Sequence, residues 1–84
     1  MSDSAEILTL VQDILENVFK LDRSTLEPQK ELFKDLDLDS LDAIDMAAEL
    51  GGRTGIKFSN DELRKIHTIE DVVNAVISRQ SETV

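Results

Sequence analysis

The chain has 84 residues, no cysteine and a net charge of -9 from 9 basic and 18 acidic side chains. This length makes residues 1–84 one small domain with a thin core, and the lack of cysteine excludes disulfides, thiolate metal sites and a cysteine nucleophile. The acidity argues against nucleic acid and anionic membranes and for basic protein partners, and no apolar run approaches the roughly 18 residues of a membrane span.

The first predicted element is an amphipathic helix over residues 3–19. Asp3 and Glu6 stand at capping-box spacing. Ile7, Leu8, Val11, Ile14, Leu15 and Val18 fall on one helical face. The segment MSDSAEILTLV has no basic region before its apolar residues, so it does not read as a secretory signal, and a cytoplasmic location is expected. Residues 20–39 form a long connection containing Pro28, with a short helical turn expected near residues 23–26. A connection of that length needs anchors in a compact domain. Leu21, Leu26, Leu32, Phe33, Leu36 and Leu38 are expected to pin it to the core.

A second helix is predicted over residues 40–50, capped by Asp39 or Ser40 and ended by Gly51 and Gly52. Ser59 and Glu62 form a capping box that opens a short third helix over residues 60–65. Thr68 and Asp71 open a fourth over residues 69–79, whose buried stripe is Ile69, Val72, Val73, Val76 and Ile77. Its β-branched residues weaken helix propensity, so packing must hold it. No repeat and no useful strand alternation is present. The expected fold is all-α: a four-helix bundle of three main helices and a short third, with a long first loop. Aromatic residues are 4% of the chain, so the core is aliphatic and able to leave an apolar gap.

The second helix carries two apolar stripes. Ala43, Met46, Ala47 and Leu50 form one; Leu41, Ile44 and Ala48 form the other. One stripe facing the bundle leaves the second, flanked by Asp42 and Asp45, as a docking face. A more deeply buried helix would remove that face. The charge is segregated as well: residues 35–49 hold six acids and no base, and residues 53–65 hold four of the nine bases.

Three chemistries compete for the stretch DLDLDSLDAID, residues 35–45. Asp35, Asp37 and Asp39 match the first, third and fifth positions of a calcium loop. Ser40 replaces the turn glycine, Met46 the bidentate glutamate, and Asp42 the apolar eighth residue, so the match fails where geometry is most demanding. Hydrolysis fails too, because a nucleophilic serine needs an adjacent base and an oxyanion hole. The sole histidine is His67, before the fourth helix, and no G-x-S-x-G surrounds Ser40. No catalytic and no metal residue is therefore assigned, and the chain does not read as an enzyme. Ser40 is either a helix cap or a substrate: a hydroxyl that an outside enzyme modifies, at a helix N-terminus suited to an attached phosphate.

D-S-L-D at residues 39–42 opens an acidic helix after the F-x-x-D-L run of residues 33–36, and a short third helix and a final I-x-D-V-V helix follow. This arrangement resembles the acyl carrier proteins over nearly the whole chain. The resemblance implies that a phosphopantetheinyl transferase attaches 4′-phosphopantetheine from coenzyme A to Ser40. The arm's thiol then holds acyl intermediates as thioesters, which accounts for a carrier without cysteine. It implies that Ala43, Met46 and Ala47 line an acyl cavity. It also implies that Asp39, Leu41, Asp42, Ile44, Asp45 and Ala48 meet acyl-transfer and synthase enzymes with basic docking patches, the carrier being a monomer.

Several positions depart from the family pattern. Asp37 stands where glycine is usual, three residues before the serine, which admits a different backbone conformation and adds a charge. Ala48 replaces a common methionine, Gly51 and Gly52 replace common glutamates, and Arg64 and Lys65 make the third helix more basic. Peptidyl carriers commonly have histidine where Asp39 stands. These departures leave room, beside fatty-acid synthesis, for a polyketide, aryl-polyene or modified-lipid synthase. The rival reading is an unmodified acidic interaction module that uses the Leu41/Ile44 strip.

Overall fold

A computed structural model describes residues 4–82. It contains α1 (Ser4–Val18), a 3-10 turn (Arg23–Thr25), α2 (Ser40–Thr54), α3 (Asn60–Arg64) and α4 (Ile69–Glu82). The fold is all-helical, and α1 packs chiefly on α4, secondarily on α2. The proposed Asp3 cap of α1 lies outside the described residues.

The core is aliphatic. Ile7, Val11, Ile14 and Leu15 from α1 meet Met46 and Leu50 from α2 and Ile69, Val72, Val73 and Val76 from α4. Val18 departs from the expected stripe and is exposed, at the helix end where the chain turns away through Lys20 at φ 61°.

The first loop is held by backbone as well as by leucines. Leu26, Leu32, Leu36 and Leu38 are buried and Leu21 packs against them. The Leu32 N–H donates to His67 O at 2.8 Å, Ile69 N–H to Lys30 O at 3.1 Å, and Glu70 N–H to Pro28 O at 2.8 Å. These bonds pair Glu31 with Thr68 in one antiparallel bridge and dock the loop on the start of α4. Gln12 Nε2 donates to Leu26 O at 2.7 Å, and Arg23 joins Asp13 at 2.7 Å, tying the 3-10 turn to α1. Buried backbone groups need such partners, which lets a long loop without regular structure stay ordered. Phe33 was expected among the anchors and is not one: it is exposed, on the turn between Leu32 and Leu36, which occupy the core instead.

The second correction concerns the end of α2. Gly51 and Gly52 do not stop the helix; it runs to Thr54 and closes at Gly55, φ 77°, whose N–H donates to Gly51 O at 2.8 Å. Only the third glycine adopts the left-handed conformation that ends helices. Gly51 serves another purpose. A Cβ there would lie 2.9 Å from Ile56 O, so the glycine lets the returning chain lie against the helix.

Candidate functional site

The sequence around Ser40 alternates between core and solvent. Leu36 and Leu38 are buried, while Asp35, Asp37 and Asp39 point outward. The chain here is a ramp of turns, with Leu36 N–H donating to Glu31 O at 3.1 Å and Leu38 N–H to Leu32 O at 3.0 Å; the leucines anchor the ramp and the acids remain in water. Asp35 caps the preceding turn, accepting from Glu31 N–H at 2.8 Å. Asp37 holds φ 60°, the conformation for which glycine is favoured. The departure from glycine thus changes the charge and keeps the left-handed turn.

Asp39 is the N-cap of α2. Its carboxylate accepts from Asp42 N–H at 2.9 Å, and Asp42 accepts in return from Asp39 N–H at 3.2 Å. Ser40 is therefore the first helical residue, not the cap, and it is exposed. Buried Leu38 before it and Ala43 after it anchor its backbone, and its hydroxyl has no capping duty.

Beside Ser40 opens an apolar groove of about 400 Å³ between α2 and α3, lined by Phe33, Ser40, Ala43, Ile44, Asn60, Leu63 and Arg64. A second depression of about 440 Å³ continues along α2 past Ala47, Ala48 and Gly51 to Phe58, sharing Ile44, Asn60 and Leu63 with the first. The two stripes of α2 meet at these grooves. Ala43 and Ala47 lie on their floors, Ile44 and Ala48 line them while remaining exposed, and Met46 is buried in the main core, lining neither. Leu41 is 69% exposed, and Asp45 lies on the same open surface, with Asp42 half-buried in its capping role. Phe33, Asn60, Leu63 and Arg64 were not foreseen as groove residues. Their only sequence signals were an aromatic assigned to the core and an unusually basic short helix.

The opposite wall of the groove is held from α4. Ser59 accepts from Glu62 N–H at 3.2 Å and Glu62 accepts from Ser59 N–H at 2.9 Å. Arg79 donates to Glu62 at 2.8 Å and to Lys57 O at 3.1 Å. The Ser59 backbone N–H, with help from the Ser59 hydroxyl and the Arg79 charge, holds the Glu62 carboxyl below its usual value against partial desolvation. At Asp71 burial pushes the carboxyl up. The backbone N–H groups of His67 and Thr68, the Thr68 hydroxyl and the nearby His67 charge outweigh it, and the value falls.

An exposed hydroxyl on an anchored backbone at the head of an apolar groove fits a phosphate-linked arm. Ser40 is accessible, and the groove beside it has room for a flexible chain. Comparison with known proteins agrees. Residues 9–76 match the family described as the phosphopantetheine attachment site. The chain is 38% identical over 73 residues to acyl carrier protein 2 of Ralstonia nicotianae, covering 87% of this chain and 90% of that one. It is 30% identical over 77 residues to the meromycolate extension acyl carrier protein of Mycobacterium leprae, covering 92% and 67%. An acyl carrier protein of Thermotoga maritima has the same fold, with a TM-score of 0.85 at 22% identity over 96% of this chain and 94% of that one.

The chain belongs to the acyl carrier proteins. It is a carrier and not an enzyme, its cofactor is 4′-phosphopantetheine, and as a family member it interacts with transferase and synthase enzymes. Among the described residues no helix is long and apolar enough to cross a membrane.

Proposed function

We propose that Ser40 is the attachment point and that the carrier works as a cytoplasmic monomer, residues 1–84 acting as one domain. The observation that carries this reading is the division of labour at the start of α2. Asp39 caps the helix, and the adjacent Ser40 hydroxyl stands exposed at the head of the groove. When bound, the arm supplies a thiol that holds acyl groups as thioesters. The protein's own residues present and shelter that cargo. Ala43 and Ala47 give a smooth apolar floor, and Met46 supports it from the core side. Asp39, Leu41, Asp42, Ile44, Asp45 and Ala48 form the docking face for the phosphopantetheinyl transferase and for synthase enzymes with basic patches. Exposed Leu41 and Ile44 offer apolar contact, and the acids provide steering.

A specialised synthase is favoured over general fatty-acid synthesis. The shallow Ala48, the paired Gly51 and Gly52 and the basic Arg64 and Lys65 support this, as does similarity to a carrier named for meromycolate extension. Intact-protein mass spectrometry tests the core of the proposal. Wild type and Ser40→Ala are incubated with coenzyme A and a broad-specificity phosphopantetheinyl transferase, beside a carrier known to be modified. Wild type gains one phosphopantetheine and Ser40→Ala gains none while keeping its helical circular dichroism. A gain on both chains places the arm elsewhere; a gain on neither favours the unmodified interaction module.

A further inference from the structure

We propose that Arg64 is a binding residue for the phosphodiester of the arm, drawing its root from Ser40 across the groove toward α3. This rests on Ser40 as the attachment point. Arg64 is the one charged residue among those lining the groove that Ser40 opens. Its nearest carboxylate partner, Asp61, is 3.9 Å away, and both side chains are more than four-fifths exposed. A pair so long and so solvated holds the guanidinium weakly and leaves it recruitable.

The surroundings of Ser40 favour such a cation. A phosphodiester on its oxygen carries a negative charge at every physiological pH. It enters beside Asp39 and Asp42, in a stretch with no basic residue between 35 and 49. One of the N–H groups of the first turn that would favour an anion, that of Asp42, is already taken by Asp39. Across the groove, Arg64 supplies the opposite charge, and its planar fork matches two phosphate oxygens in a way a lysine does not. Held there, the arm lies over Ala43, Ile44 and Leu63 instead of projecting into water.

Lys65 is the built-in control. It removes the same charge one residue along, and it borders a different depression, with Glu62, Ile66 and Asp71. Wild type, Arg64→Gln, Arg64→Lys and Lys65→Gln are converted to the holo form and checked by intact mass. Their phosphorus-31 resonances are then compared with that of urea-unfolded holo protein, and the Arg64 Nε–H resonance is followed from apo to holo. The folded wild-type phosphorus signal is expected to stand apart from the unfolded one. Arg64→Gln is expected to remove more than half of that separation, Arg64→Lys a smaller part and Lys65→Gln little, with the Arg64 Nε–H shifting on loading. Equal spectra for Arg64→Gln and Lys65→Gln, or a wild-type signal coincident with the unfolded one, overturn the role of Arg64 while Ser40 stands. A wild type that gains no mass overturns the attachment site and this proposal together.

Discussion

Asp37 occupies a left-handed backbone position at φ 60° immediately before the ramp to Ser40. Aspartate tolerates that conformation better than most residues, and alanine does not. Asp37→Ala is expected to destabilise the fold by about 1 kcal/mol, and Asp37→Gly to leave it equal or more stable. Urea unfolding of the two variants checks this; an Asp37→Ala as stable as wild type would contradict the left-handed assignment. The adjacent glycines of α2 make a sharper pair. Gly52 has open space where a Cβ would stand, so Gly52→Ala gains helix propensity and is expected to stabilise by about 0.5–1 kcal/mol. Gly51→Ala drives a methyl to 2.9 Å from the backbone oxygen of Ile56 and is expected to destabilise by at least about 1 kcal/mol. Two alanine substitutions of opposite sign at neighbouring positions are readily separated by thermal melts. Sequence alone treats the two glycines as equivalent, because what distinguishes them is the path of residues that follow.

At the scale of elements, α3 is the weak one. Its five residues, Asn60–Arg64, are too few to hold themselves, so its capping box and its tie to α4 decide its order. Arg79→Ala removes the bonds to Glu62 and Lys57 and is expected to cost about 1 kcal/mol. The loss should be concentrated as faster amide exchange over residues 60–64, with the α1 core amides changing in proportion only to global stability. Both Glu62 and Asp71 titrate below their ordinary values, so the folded state binds fewer protons than the unfolded one. Their stabilisation is complete above the usual carboxylate range near pH 4 and is lost as pH falls through the lowered values. Glu62→Gln should therefore be less stable than wild type at pH 7 and approach it in stability at pH 3; a gap that stays constant between the two would remove the titration account. The Ser59/Glu62 and Thr68/Asp71 caps are legible as spacing, because a capping box is local, whereas the sequence leaves the α2 cap between Asp39 and Ser40 and the structure gives it to Asp39 with Asp42.

Across the whole molecule, charge and shape work together. A net charge of -9 on 84 residues repels itself, so moderate salt is expected to raise the melting temperature while weakening association with basic partners. Asp45→Lys is the clean probe of the docking face, since Asp45 is exposed and makes no cap. It should weaken binding to a basic transferase or synthase several-fold at low salt and much less at high salt. Asp42→Lys would also lose the half of the α2 capping box in which the Asp42 carboxylate accepts from Asp39 N–H, and so mixes stability with recognition.

The helical class, most of the burial stripes of α1 and α4, the caps of α3 and α4 and the position of Ser40 at the head of an acidic helix follow from the sequence by itself. They rest on periodicity and on contacts within four residues. Tertiary structure decided the rest. It placed Phe33 outward, with Leu32 and Leu36 occupying the core on either side, and it carried α2 past two glycines, with Leu50 buried and the returning Ile56 segment lying against Gly51. It also brought Asn60, Leu63 and Arg64 opposite Ser40 across about 400 Å³ of groove. Residues twenty positions apart in the chain share that groove because Leu63 and Ile66 pack on the core and Arg79, in the last turn of α4, ties down Glu62 of α3.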